Sequence, residues 1–152
     1  MVRKLFGEDK ESLNKYNETL GCTPAELVLT PTKIYVKTIL ALIEKFPIKG
    51  IAHITGGGFI ENVPRMFPKG VGCEIDIKAY DRLPVFDMLK ETSALPDSKL
   101  YNTFNMGIGL MLCVPQDVAA DVVKAAEALG EKAYVVGKTV AGEGVKLLGI
   151  DK

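Results

Sequence analysis

Between Ile34 and Phe46 the apolar residues Ile34, Val36, Ile39, Leu40, Leu42, Ile43 and Phe46 recur at spacings of three and four, which predicts a helix over about Tyr35 to Phe46. Pro47 ends it, because proline has no N–H for the helical ladder. "IKGIAHIT" then reads as a short strand bounded by glycines. "GVGCEIDI" reads as a second strand, with Val71, Cys73, Ile75 and Ile77 turned to one face. "PVFDMLKE" returns to helical spacing with Val85, Phe86, Met88 and Leu89 inward, and "MGIGLMLCVP", apolar almost throughout, reads as a central strand buried on both faces. "PQDVAADVVKAAEALG" has a proline near its first turn, acids early and Gly130 placed as a C-cap, the marks of a helix. "KAYVVGKTV" and "GVKLLGI" read as two strands of a hairpin around a glycine-rich turn.

Residues 1–26 are polar and carry no sustained period, so they read as an arm or a short helix between turns; Thr23 and Pro24 then open a short apolar turn, and the second cluster, Thr30, Pro31 and Thr32, is a natural helix entry. From residue 27 to 152 helices and strands alternate, and the last pair is read as antiparallel. That pattern predicts an α+β (mixed α/β) domain, a mixed β-sheet covered by helices. A chain of 152 residues with 47% hydrophobic content can build one proper core, and neither a repeat nor a second domain is visible.

Charge narrows the partners. Basic and acidic residues both number 19, so the basic field that dominates nucleic-acid binding, or binding to an anionic membrane, is missing. Apolar runs such as "IGLMLCVP" fall well short of the roughly 20 residues that span a bilayer. The acid-rich "GEDKES" near the start does not read as a secretory signal. Cys22, Cys73 and Cys113 are odd in number and far apart, with only His53 as an imidazole neighbour, which argues against a zinc site and for reduced thiols in a cytoplasmic protein.

Candidate chemistry centres on "AHITGGGFIENVPR". Glycine loses more backbone freedom on folding than other residues, so three in succession at Gly56, Gly57 and Gly58 need a reason. Either the chain turns tightly there, or backbone N–H groups between a strand and a helix converge on an anion. Glu61, Asn62 and Arg65 lie within two turns, and an arginine can hold phosphate bidentately. His53 is either a satisfied core residue of a buried strand or, three residues before the glycines, a functional one. In "TFNMGIG", Asn105 and Gly107 interrupt an apolar run. They mark either a bulge capped by the asparagine or a second binding stretch, since its amide both donates and accepts. Other glycine patterns fail. "VVGKTVAG" has Lys132 where a Walker loop needs its first glycine, and Glu61 and Leu112 stand where a dinucleotide fingerprint needs its third.

Taken together, "LTPTKIYVKTILALIEK", "IKGIAHITGGGFIENVPRMFP" and "YNTFNMGIGLMLCVP", in that order, resemble the C-terminal half of the phosphoribosylformylglycinamidine cyclo-ligase (aminoimidazole ribonucleotide synthetase) family, from about Leu27 to Lys138. The resemblance implies a domain layered α/β/α. It implies a reaction in which ATP, with magnesium (Mg2+), phosphorylates the formylglycinamidine ribonucleotide oxygen, a nitrogen attacks the activated carbon, and phosphate leaves as the imidazole closes. Carried to this chain, Gly56 to Gly58 face a phosphate-bearing cleft, His53 and Thr55 lead into it, Asn105 and Gly107 line it, and Glu61, Asn62 and Arg65 stand near its rim. His53 is the catalytic candidate, although none of these residues is an obvious general base. The resemblance also implies that an N-terminal domain, absent here, carries the acidic metal ligands, much of the ATP site and the main homodimer contact. Residues 1–26 are then a linker from that domain, and the chain should not catalyse alone. A family histidine upstream of this start is absent, and Tyr80 stands where many members carry tryptophan. The competing reading is a stand-alone phosphate- or small-molecule-binding module without catalysis; a purely structural role would leave the two motifs unexplained.

Overall fold

Strand β2 (Val71–Asp76) is the middle of a three-stranded mixed sheet, and how its neighbours reach it determines the fold. The computed structural model describes residues 1–150. β4 (Gly137–Ala141) pairs with β2 antiparallel, in the register Val71↔Ala141 to Ile75↔Gly137. β5 (Val145–Leu148) pairs with the opposite edge of β2, parallel, from Cys73↔Val145 to Asp76↔Leu148. The two last strands are therefore not a hairpin: β2 lies between them. Gly72 gives the reason. A Cβ there would stand 2.8 Å from the Gly144 carbonyl oxygen, so the missing side chain is what lets residues 142–144 cross over β2. Gly142 (φ 124°) and Gly144 (φ 79°) make the reversal, in backbone conformations that side chains disfavour. β4 also begins later than expected; residues 131–136 precede it without strand structure, although Val136 accepts from the Asp76 N–H.

β1 (Gly50–His53) and β3 (Leu110–Cys113) form a separate antiparallel pair, with Gly50 opposite Cys113 and His53 opposite Leu110. β3 does lie between two apolar clusters, as its unbroken apolar sequence predicts. It is nonetheless only half-buried apart from Met111, and its one ladder partner is β1, so it is not a central strand. On one face Ala52 and Met111 join the larger core, with Ile54, Phe59, Cys73, Ile75, Ile77, Phe86, Leu89, Tyr101 and Met106. On the other, Leu112 packs against Leu42 of α4 (Val36–Lys45) and Val122 and Ala126 of α8 (Ala119–Ala128).

The helices follow their sequence signals. α4 has Tyr35 and Phe46 as its caps, and α8 ends where Gly130 (φ 85°) donates to Glu127 and Glu131 to Ala126, the paired bonds of a glycine C-cap. α6 (Pro84–Ser93) buries Phe86 and Leu89. Before these, α1 (Val2–Phe6) and α2 (Lys10–Asn14) give the polar start more structure than its composition suggests, and Phe6 is buried. α3 (Pro24–Leu29) opens with a capping box between Thr23 and Glu26. α5 (Gly58–Asn62) follows the glycine triplet, and α7 (Asp97–Leu100) precedes the turn on which that triplet sits.

Candidate functional site

The antiparallel pairing of β1 and β3 brings the two glycine-bearing stretches to one end of a sheet. His53 ends β1 opposite Leu110, and the Ile54 N–H donates to the Gly109 carbonyl at 2.9 Å. From here the chain enters the triplet. Gly57 (φ 94°) and Gly58 (φ 54°) are left-handed, and a Cβ on Gly58 would lie 2.0 Å from the Tyr101 carbonyl oxygen, so no side chain fits. Gly56 has open space around it. The loop is seated on the 101–104 turn: the Phe59 N–H donates to the Tyr101 carbonyl at 2.9 Å, and the two rings pack edge to face at 5.1 Å. The triplet thus answers to a tight turn at Gly57 and Gly58 and close backbone packing at Gly58, while Gly56 is left facing outward.

Asn62 determines which way the loop's dipoles point. Only 3% exposed, it extends its amide nitrogen to the carbonyl oxygens of Gly58 (2.8 Å), Gly56 (3.1 Å) and Thr55 (3.5 Å). The peptides of this loop are trans, and a trans peptide carries its C=O and N–H on opposite sides. Drawing the Thr55 and Gly56 carbonyls inward therefore turns the N–H groups of Gly56 and Gly57 outward. Neither has a hydrogen-bond partner among the described residues. The Arg65 guanidinium donates to the Asn62 Oδ1 at 3.2 Å while remaining exposed, so a cation is tied to the side chain that holds the loop, while the Glu61 carboxylate lies against Gly57. Outward-facing N–H groups and an arginine can stabilise negative charge on a phosphoryl group.

The other anticipated residues fall as follows. Glu61 is exposed and accepts from Asn102 at 3.3 Å. Thr55 is exposed, with its carbonyl taken by the Gly58 N–H. His53 is exposed rather than buried, because Ala52 and Ile54 take the core side of the strand. Asn105 turns its carbonyl oxygen to the Gly107 N–H at 3.1 Å, the cap that the sequence suggested, and its amide nitrogen has no partner among the described residues. Gly107 (φ 96°) is exposed and lies toward Leu83 and Phe86 rather than toward the triplet. Asn62, placed at the rim by resemblance, is beneath the loop.

Tyr35 was not signalled. Its ring meets His53 edge to face at 6.2 Å, and its hydroxyl lies over Gly109, where a Cβ would stand 2.0 Å from it. Burial raises its pKa, Glu131 adds to that, and Lys33 opposes it. No local pattern in the sequence reveals a contact between residues so far apart. Metal is a different matter: no group of three or more His, Cys, Asp or Glu that could hold an ion occurs among the described residues, and Glu61 is a lone carboxylate beside the loop. These residues do not make a magnesium site.

The chain belongs to the AIR synthase related protein family, whose C-terminal domain matches residues 1–150. Among curated relatives, the phosphoribosylformylglycinamidine cyclo-ligase of Bacillus cytotoxicus is 47% identical over 150 residues, covering 98% of this chain and 43% of its own length. That of a Geobacillus species is also 47% identical over 150 residues, with the same coverage. The chain therefore spans less than half the length of these relatives. Among solved structures, E. coli HypE, a hydrogenase maturation protein, superposes with a TM-score of 0.64 at 26% identity, over 86% of this chain and 43% of HypE. No described helix is long and apolar enough to cross a membrane.

Proposed function

We propose that this chain is the C-terminal domain of an ATP-dependent cyclo-ligase of purine biosynthesis, closing formylglycinamidine ribonucleotide to aminoimidazole ribonucleotide. Its cleft wall is the stretch His53 to Arg65 with Asn105. The observation that carries this reading is the grip of buried Asn62 on the loop carbonyls, which leaves the Gly56 and Gly57 N–H groups facing out, with Arg65 bonded to the same Asn62. In that role the two N–H groups and Arg65 hold the phosphoryl oxygens as charge develops on them and as phosphate leaves. Asn105, with a free amide nitrogen, offers a donor to the substrate from the other strand end. His53, exposed at the mouth, is the candidate for moving a proton.

In this reading the domain preceding this region in the relatives supplies the metal-holding carboxylates, most of the ATP contacts and the main homodimer contact, and the assembly works in the cytoplasm. The chain alone completes no catalytic site. The test is to mix this chain with the separately produced N-terminal domain from the same source and follow phosphate release from ATP with formylglycinamidine ribonucleotide. Release only in the mixture is the expected result, with Arg65→Ala lowering it about tenfold, the loss of a charge-assisted contact in the transition state. Domains that associate without releasing phosphate overturn the reading in favour of a binding module.

A further inference from the structure

Helix α4 is apolar over a wider arc than the fold covers. Leu42 is 2% exposed and packs against Val122 and Ala126, with Phe46 beside it. Val36, Leu40 and Ile43, in contrast, are 60%, 57% and 48% exposed. Their spacing of four and three residues lines them up as one stripe alongside the packed face. Ile34, just before the helix, is 82% exposed. Single exposed apolar side chains need no explanation, but a row of them marks a surface that something covers. The row also begins at the candidate site, since Tyr35, the residue between Ile34 and Val36, lies against His53.

We propose that this stripe is the seat of the N-terminal portion found in the cyclo-ligase relatives. The proposal rests on the cyclo-ligase reading, and two observations commit it to that occupant. The chain accounts for only 43% of each of those relatives and matches the family's C-terminal domain, so in them the larger part of the polypeptide adjoins a domain of this kind. A domain that completes the site must also border His53 and the glycine loop, and the stripe is uncovered apolar ground that starts there, with Ile51 of β1, 41% exposed, on the same strand as His53. The contact is then apolar along α4 and opens into the polar cleft at Tyr35, which fixes how the two halves of the site face each other.

The test measures association of this whole chain with the N-terminal domain from the same source by calorimetry. Leu40→Glu and Val36→Asp, both at exposed positions that leave the cores untouched, are expected to weaken it at least tenfold. Val135→Glu and Leu148→Glu, at exposed apolar positions elsewhere, are expected to change it less than twofold. Failure to associate, or stripe variants that bind as tightly as the wild type, overturns the proposal. So does a dimer of this chain alone that Leu40→Glu dissociates, because the occupant is then a second copy. Stripe-dependent association without phosphate release keeps the docking surface and removes the cyclo-ligase reading; release with unchanged affinity in the stripe variants does the reverse.

Discussion

Gly56 and Gly58 are two residues apart and differ in what they tolerate. At Gly58 an added methyl meets the Tyr101 backbone at 2.0 Å in a left-handed conformation, whereas at Gly56 it meets nothing within 4 Å. Gly58→Ala is therefore expected to lower unfolding stability in urea by about 2–3 kcal/mol, the scale of stored backbone strain, and Gly56→Ala by less than about 1 kcal/mol. The sequence showed that the triplet was special but not which glycine carried which demand, because the colliding carbonyl comes from residue 101. The thiols separate in the same way. Burial, with the neighbouring Cys113 adding to it, pushes Cys73 up to about 11, so its thiolate is scarce at neutral pH. Mass spectrometry after brief iodoacetamide treatment should find Cys22 alkylated well before Cys73.

Between elements, the segment leading into α4 and the first turn of α4 are tied to the start of the 131–136 stretch. Lys33 Nζ and Thr38 Oγ1 both donate to the Glu131 carboxylate, at 2.5 and 2.9 Å. Burial raises the Glu131 pKa, but these donors outweigh it and the net shift is downward. A carboxyl depressed in the folded state stabilises above its unfolded pKa, about 4.3, and that contribution is lost as pH falls through the folded value. Urea midpoints of wild type and Glu131→Gln should thus differ above about pH 5 and converge in stronger acid. The difference should stay near or below about 1 kcal/mol, because Lys33 is largely exposed. At this scale the sequence was legible where signals are local. The span of α4, the proline start of α6 and the Gly130 cap of α8 all follow from neighbours within a few residues. The hairpin read into the last two strands failed because the deciding residue, Gly72, lies some 70 positions before the turn it admits, and strand periodicity carries no partner identity. Asn62 was found by motif yet misplaced, since the pattern fixes the residue type and not the side of the loop it occupies.

For the whole molecule, pattern and composition identified a mixed α+β domain, and the family followed from three stretches taken together, but the division into two small sheets did not follow. That division has a consequence in time rather than in space. β2 is made some 70 positions before β5, which covers one of its edges, with Lys146 meeting Glu74 across 72 positions. Pairings so distant close slowly, and an unpaired strand edge invites other chains. Ending the chain after Gly144 should accordingly give a product that partitions into the insoluble fraction on expression, where the full chain stays in solution; a soluble truncated product would show that β4 alone protects β2. During translation one edge of this sheet must wait, unpaired, until β5 has left the ribosome, and a growing chain of this kind is exposed to aggregation over that interval.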